Sequence, residues 1–282
     1  MLVCRTFSEL SQILLSNVDR GKTIGFVPTM GALHKGHLAL IDDCNLKSDV
    51  SVCSIFVNPT QFNNALDLEK YPRTEEVDIK KLKDGKCDVV FIPAVSEVYP
   101  DSKKSVLSPK LDLDGLDLVM EGEHRPGHFD GVVEVVSRFL SQIKPDFAFF
   151  GEKDFQQLAI VKHMVKQKNF KTEIVPCPIQ RDKNGLALSS RNVRLSSEGV
   201  KIATVLNQQL NWAKEQIDSL AIKDIITAVK IALEGNSKIE LEYFDIVDSK
   251  RLKSVQTKKK EIRAFIAAHV EGVRLIDNMA LM

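Results

Sequence analysis

This sequence lacks the cysteine patterns that stabilise secreted proteins or bind zinc. Its five cysteines are scattered, with an odd count and no C-x-x-C pair. Such a pattern predicts reduced thiols and gives no metal site of the cysteine type. Long apolar runs are also missing: no stretch approaches the ~20 apolar residues of a membrane span, and the first residues lack the apolar core of a signal peptide. We therefore expect a cytoplasmic protein with no membrane partner.

An excess of charge of one sign is missing as well. Lysine and arginine total 39 against 38 aspartates and glutamates, so the net charge is +1. Proteins that bind nucleic acid or a membrane surface usually carry a basic excess on one face, so we expect no nucleic-acid partner. The composition, 44% hydrophobic and 27% charged, is ordinary for a globular protein, and 282 residues exceed one typical domain.

Three common signatures of enzyme sites do not occur. The sequence has no G-x-x-x-x-G-K-S/T, which excludes a P-loop enzyme, and no nucleophile elbow or other Ser-His-Asp arrangement. It also has no G-x-G-x-x-G after the first predicted strand, which weakens a nicotinamide-binding interpretation. A different kind of site has to be sought.

The most informative stretch is residues 23–41. It predicts a buried strand at 24–27, a tight turn with glycine, and a helix that begins near Gly36 with His34 and His37 at its start. A helix N-terminus presents unpaired N–H groups and a partial positive charge, and therefore favours phosphate. The alternative is that both histidines only cap the helix. The neighbouring proline and glycines, which let a ligand approach the backbone, favour a nucleotide site.

Strands and helices alternate through the first two thirds of the chain. The pattern predicts strands at 24–27, 50–57, 88–93, 146–150 and 171–176, with helices at 7–15, 36–45, 74–83, 132–143 and 155–166. This alternation is typical of an α/β protein with a Rossmann-like, doubly wound parallel sheet. After residue 178, two helices and then three strands predict a smaller α+β domain. We therefore predict domains at 1–178 and 179–282, and leave residues 94–114 unassigned.

Further polar residues follow the predicted strands, where ligands bind in such sheets. Lys153 beside Asp154 is either a surface ion pair or a cation for phosphate. Ser189, Ser190 and Arg191 form either a plain turn or a phosphate cradle, since arginine offers a planar fork of donors.

Two glutamines and a loop offer other chemistry. Gln61 and Gln157 can donate and accept at once, which suits a hydroxy acid better than a phosphate, although an isolated glutamine is more often plain surface. His124, Arg125 and His128 belong to a loop that is interpreted equally well as a lid, a positioning loop or a catalytic one.

Seven motifs in order carry a resemblance to a known family. They are PTMGALHKGH (28–37), NPTQF (58–62), YPRT (71–74), RPGHFDG (125–131), FGEKDFQQ (150–157), LSSRN (188–192) and RLIDN (274–278). One alone would be weak, but the seven together span nearly the whole chain. The sequence resembles the pantoate–β-alanine ligases, members of the His-x-Gly-His nucleotidyltransferase superfamily.

The resemblance implies a reaction and a set of partners. It implies a Rossmann-like N-terminal domain, a C-terminal lid domain and a homodimer. It also implies two steps that use ATP and Mg²⁺: pantoate attacks the α-phosphate to give pantoyl adenylate and pyrophosphate, and β-alanine then displaces AMP to give pantothenate. The sequence EEVD at 75–78 departs from the aspartates that are common in this family. The protein ligands of Mg²⁺ are therefore undetermined, and the phosphates themselves can hold the ion.

The resemblance also implies site residues. His37 is expected to be the proton-donating catalytic residue, with His34, Lys153 and Arg191 beside it in the catalytic set. Gln61 and Gln157 are expected to bind pantoate, and Gln61 also β-alanine. The residues expected to bind ATP are Met30, Gly31, Ala32, Leu33, His34, Lys35, Gly36, His37, Gly151, Glu152, Lys153, Asp154, Gln180, Leu188, Ser189, Ser190 and Arg191.

Two other functions are weighed against this ligase. One is a nucleotidyltransferase that moves AMP or CMP to a phosphorylated small molecule. The glutamines at the acceptor side, in place of further cations, argue for a hydroxy carboxylic acid instead. The other is a catalytically silent nucleotide-binding regulator, which the intact histidines, Lys153 and Arg191 make the weaker hypothesis.

Overall fold

The computed structural model describes residues 1–18, 21–100, 110–258 and 260–282. The chain forms two compact units. The first comprises residues 1–152 and 157–178, and the second comprises residues 153–156 and 179–282. In the described ranges, no helix combines the length and apolar composition needed to cross a membrane.

The first unit is built on a six-stranded parallel sheet in the order β1-β4-β3-β2-β5-β6. Its strands are β1 (Leu2–Cys4), β2 (Ile24–Thr29), β3 (Val50–Ile55), β4 (Val89–Phe91), β5 (Phe147–Gly151) and β6 (Glu173–Cys177). The predicted α/β fold class with a parallel sheet is confirmed. Strand β1, at the edge of the sheet, is an addition to the predicted set.

Eight helices accompany this sheet in the described part of the chain. They are α1 (Phe7–Val18), α2 (Lys35–Lys47), α3 (Ala65–Glu69), α4 (Glu75–Asp84), α5 (Val95–Val98), α6 (Glu121–His124), α7 (His128–Ile143) and α8 (Phe155–Gln167), the last beginning in the second unit. Helix α7 is buried along most of its length, and its Phe139 packs edge-on against Phe26, Phe56 and Phe91. Residues 101–109 of the unassigned segment lie outside the described residues.

The second unit is the predicted smaller α+β fold. Its elements are α9 (Ser197–Gln216), α10 (Ile222–Glu234), β7 (Ile239–Asp248), β8 (Ile262–Val270) and β9 (Val273–Ala280). The three strands form an antiparallel sheet in the order β7-β8-β9. Apolar side chains of both helices and the sheet make one core, including Leu206, Val229, Phe244 and Ile266.

The thiols of the folded protein are expected to resist alkylation at pH 8. All five are buried, and burial raises the pKa of Cys4 and Cys44 to about 11 and that of Cys87 to about 12. Burial also raises the pKa of Cys53 and Cys177. A thiol with a pKa near 11 is only ~0.1% thiolate at pH 8, and the thiolate is the nucleophile.

Mass spectrometry after iodoacetamide treatment measures this directly. We expect no label on the native protein in the time that labels all five thiols in denaturant. A native thiol that reacts as fast as free cysteine would contradict the burial of that side chain.

Candidate functional site

The loop between β2 and α2 is held in an unusual backbone conformation. Gly31 and Ala32 both have positive φ angles, 76° and 48°, and a side chain tolerates that region poorly. The N–H of Gly31 donates to Thr29 Oγ1 over 3.2 Å. A Cβ at Gly31 would lie 3.0 Å from Ile55 and 3.2 Å from the Asp78 carboxylate, so the space as well as the angle calls for glycine.

His34 and His37 together cap the N-terminus of α2. The Nδ1 atom of His34 accepts the N–H of Gly36 over 3.1 Å, and the Nδ1 atom of His37 accepts the N–H of His34 over 3.2 Å. This is the reciprocal arrangement of a capping box, built here from two imidazoles. The capping role that the sequence left open is therefore real.

These caps fix where the ring protons lie. Because each Nδ1 accepts a backbone N–H, the proton of each neutral ring is on Nε2. The two rings are stacked with centroids 4.0 Å apart and planes 32° apart. The helix start thus combines its own partial positive charge with two imidazole Nε2–H donors, an arrangement suited to an anion that gains charge.

Gln61 lies in the loop that follows β3, the strand next to β2 in the sheet. It is the last residue of a 3₁₀ turn that spans Pro59–Gln61. Its side chain is buried, and its Oε1 accepts Asn58 Nδ2 over 3.2 Å while its Nε2 contacts Met30 Sδ at 2.8 Å. Asn58 is oriented in turn by the Tyr99 hydroxyl, which donates to its Oδ1 over 2.8 Å. Gln61 therefore has its carbonyl directed at Asn58 and its NH₂ group directed at the β2–α2 loop.

The start of helix α7 supports the backbone of this turn. His128 Nδ1 lies 2.8 Å from the Gln61 carbonyl oxygen, and Arg125 Nη1 lies 3.2 Å from His128 Nε2. Because arginine only donates, His128 Nε2 must accept and its Nδ1–H donates to Gln61. A Cβ on Gly131 would come within 2.4 Å of the Thr60 carbonyl, so glycine permits the close approach of α7. His128, at the start of α7, and Arg125, just before it, thus support the Gln61 turn, and these contacts favour the positioning interpretation of this loop.

Three site loops of the first unit share one edge of the sheet. Strands β3, β2 and β5 are neighbours and parallel, so the loops that follow them all leave at the carboxyl edge. These loops contain Met30 to His37, Gln61, and Gly151 with Glu152. Gln157 follows on the first turns of α8 and is half-buried.

The second unit contains the remaining predicted residues. Asn278 of β9 donates its Nδ2–H to the Lys153 carbonyl over 2.8 Å, and the Lys153 ammonium lies 3.8 Å from Asp154. The N–H of Leu188 donates to the Gln180 carbonyl over 2.9 Å, which brings these two predicted residues together.

The segment after Leu188 is held in a turn by hydrogen bonds that its own side chains make. Ser189 caps the following 3₁₀ turn, its Oγ accepting the N–H of Arg191 over 3.2 Å, and Ser190 is buried. Ser189 therefore does form part of a capped turn, and its predicted role in binding phosphate stays a prediction.

The family is decided by comparison with known proteins. A model of the family described as pantoate-beta-alanine ligase matches residues 2–280. The chain belongs to the pantoate–β-alanine ligase family. Pantothenate synthetases of Christiangramia forsetii and Flavobacterium psychrophilum are 46% and 44% identical to it, over 100% of this chain and 99% and 100% of the relatives.

Solved structures of pantoate–β-alanine ligases have the same fold. The pantothenate synthetase of Thermus thermophilus has a TM-score of 0.93 at 37% identity, covering 100% of this chain and 99% of that one. A Francisella tularensis pantoate–β-alanine ligase, complexed with β,γ ATP and β-alanine, has a TM-score of 0.82 at 36% identity, covering 100% and 98%. The predicted family, enzyme class and ligation of pantoate to β-alanine for pantothenate biosynthesis are confirmed.

The sequence interpretation missed two residues that hold the site loops in place. In the sequence, Asn58 stands out only as part of a motif, and Asp78 only as part of a segment that departs from the family's aspartates. Asp78 is fully buried, and its carboxylate accepts the N–H groups of Ala32 and Leu33, each over 2.8 Å. The sequence signals for them are an asparagine directly before the Pro-Thr-Gln turn, for Asn58, and an aspartate within the predicted helix at 74–83, for Asp78.

Proposed function

We propose that this ligase works through a pantoyl adenylate. The pantoate carboxylate attacks the α-phosphorus of ATP, a P–O bond forms, and the bond to the pyrophosphate leaving group breaks. The amine of β-alanine then attacks the activated acyl carbon, loses a proton, and releases AMP. The observation that carries the proposal is the pair of Nε2–H donors, on His34 and His37, at the N-terminus of α2.

The first step sets two anions against each other, so the site has to neutralise charge and fix geometry. Holding two reactants in register can remove ~7–11 kcal/mol of barrier. A single donor aimed at charge in the transition state contributes ~3–4 kcal/mol. His34, His37, Lys153 and Arg191 supply such donors without a covalent intermediate on the protein, and His37 is the proton donor in this scheme.

Nucleotide binding is assigned to three parts of the chain. They are Met30 to His37, Gly151 to Asp154, and Gln180 with Leu188 to Arg191. Support comes from the capped helix start for the first part and from the ordered Ser189 turn for the last. The predicted role of residues 179–282 as a lid stays a prediction.

Gln61 and Gln157 are assigned to pantoate, and Gln61 also to β-alanine. The orientation of the Gln61 side chain supports this assignment. Its Oε1 accepts a hydrogen bond from Asn58, so its NH₂ group is the end directed at the β2–α2 loop. A donor at that position suits the hydroxyl and carboxylate oxygens of a hydroxy acid. A phosphorylated acceptor would instead call for cations.

Mg²⁺ enters this scheme bound to ATP. In the described part of the chain, no group of three or more His, Cys, Asp or Glu side chains could hold a metal ion. The described side chains therefore do not form a protein cage for the ion, which agrees with the preference of Mg²⁺ for substrate phosphates plus few protein ligands. The homodimer and the cytoplasmic location are part of the proposal and rest on the family resemblance.

One assay separates the ligase from its rivals. The protein is incubated with Mg²⁺, ATP, pantoate and β-alanine, and AMP, ADP and pantothenate are measured by chromatography. We expect AMP and pantothenate in equal amounts, and pyrophosphate formation that requires pantoate. ADP as the product, or nucleotide release that does not depend on pantoate, would overturn the proposal. No turnover at all would favour the silent nucleotide-binding regulator.

A further inference from the structure

Helix α4 directs two charged side chains, one turn apart, onto the loop that precedes His34. Asp78 Oδ2 accepts the N–H of Ala32 and Asp78 Oδ1 accepts the N–H of Leu33, each over 2.8 Å. Lys81 Nζ donates to the Leu33 carbonyl over 2.5 Å. Three consecutive peptide groups of the loop are therefore hydrogen-bonded to α4: Gly31–Ala32 and Ala32–Leu33 through their N–H, and Leu33–His34 through its carbonyl.

These bonds act where the loop is strained. Ala32 has a φ of 48°, a conformation that residues with a Cβ rarely adopt without outside support. Hydrogen bonds from backbone N–H groups to a buried carboxylate are short and strong, and they supply that support. Leu33 directly precedes His34, the N-cap residue, so the conformation at Ala32 sets where α2 and its two imidazoles begin.

Both oxygens of the Asp78 carboxylate already accept hydrogen bonds from the protein. Besides Ala32 and Leu33 it accepts the Thr74 hydroxyl over 3.1 Å, and the residue has no exposed surface. A ligand of Mg²⁺ would need a carboxylate oxygen directed at the substrate. The oxygens of Asp78 are directed at two backbone N–H groups and the Thr74 hydroxyl.

We propose that Asp78 is a positioning residue for adenylate formation. Through Ala32 and Leu33 it fixes the loop from which His34 and His37 present their Nε2–H groups, and it is not a ligand of Mg²⁺. The inference rests on the proposed function, since it assumes that the two histidines act on the nucleotide.

The test is Asp78→Asn, which keeps the shape of the side chain but sets an NH₂ group against one backbone N–H. We expect kcat for pantoate-dependent pyrophosphate release to fall by about 10- to 100-fold, the loss typical of a small misplacement of catalytic groups. KM for ATP and half-saturating Mg²⁺ are expected to change by less than about threefold. Asp84→Asn, which alters an exposed carboxylate of the same helix, is the matched control and is expected to match the wild type.

A spectroscopic measurement separates positioning from a general loss of structure. With ¹⁵N-labelled histidine, Asp78→Asn is expected to shift the ring signals of His34 and His37 and to leave that of His269, in the second unit, unchanged. If Asp78→Asn does not fold, Lys81→Met tests the same loop through the Leu33 carbonyl, with an expected loss in kcat of about three- to tenfold.

The outcomes are distinguishable. An inactive wild type would sink the proposed function. An active wild type with an unchanged Asp78→Asn rate, or unshifted histidine signals, would overturn only the positioning role. A rise of about tenfold or more in half-saturating Mg²⁺, with full activity restored at high Mg²⁺, would make Asp78 a metal ligand and would also overturn it.

Discussion

Replacing His37 with glutamine is expected to lower the rate of pantoyl-adenylate formation by about two orders of magnitude or more, in line with ~3 kcal/mol for one donor to transition-state charge. Glutamine is a standard third residue of a capping box, and its Oε1 can accept the His34 N–H that His37 Nδ1 accepts now. The variant therefore keeps the helix cap and loses only the imidazole Nε2–H. Pantoate-dependent exchange of pyrophosphate into ATP measures the step.

His37→Ala makes the comparison sharper, because it removes both the cap and the imidazole. We expect it to match His37→Gln in adenylation rate but to unfold more easily, by the ~1 kcal/mol that a lost capping contact costs. His163→Gln is the control, since His163 contacts the Asp112 carbonyl and has no part in this chemistry in our scheme. A His37→Gln rate within about threefold of the wild type would remove His37 from its catalytic role.

Sequence periodicity was sufficient for the parallel sheet because each central strand is a run of buried apolar residues. Strands β2 and β3 show this clearly, with nearly every side chain buried on both faces. Strand β1 could not be predicted in this way, because it is three residues long and its first two residues are exposed, which leaves no periodic pattern of apolar residues. Helix α7 begins four residues before its predicted start, because Gly127 in a left-handed conformation begins it directly after the Pro-Gly turn.

The place where the loops of the candidate site meet could be inferred for a topological reason. Parallel neighbours bring their following loops to one edge, so the histidines and Gln61 had to be near each other once the strands were assigned. The contacts that hold these residues could not be inferred. Asp78 lies 46 positions from Ala32 along the chain, and a side chain bonded to a distant backbone N–H leaves no periodic pattern. The same applies to His128 and the Gln61 carbonyl, 67 positions apart.

Lys153→Met is expected to lower kcat for adenylation by about 100- to 1000-fold, since methionine keeps the apolar stem and removes the ammonium that faces phosphate charge in our scheme. The rival interpretation is a surface ion pair with Asp154, which would contribute ~0–1 kcal/mol to stability and nothing to the rate. The side chain is only 17% exposed, less than an isolated surface lysine would be. The backbone carbonyl of Lys153 accepts a hydrogen bond from Asn278, so β9 fixes the backbone from which this side chain extends.

Lys162→Met provides the matched control for the lysine experiment, because Lys162 is an exposed cation on α8. Stopped-flow detection of pyrophosphate at saturating ATP and pantoate separates a loss in the chemical step from a loss in binding. A cation that acts on transition-state charge lowers kcat, whereas one that only holds ground-state phosphates raises KM for ATP with kcat unchanged. A change in melting temperature without either effect would leave Lys153 as half of an ion pair, and the donors to the α-phosphate would then be His34, His37 and Arg191 alone.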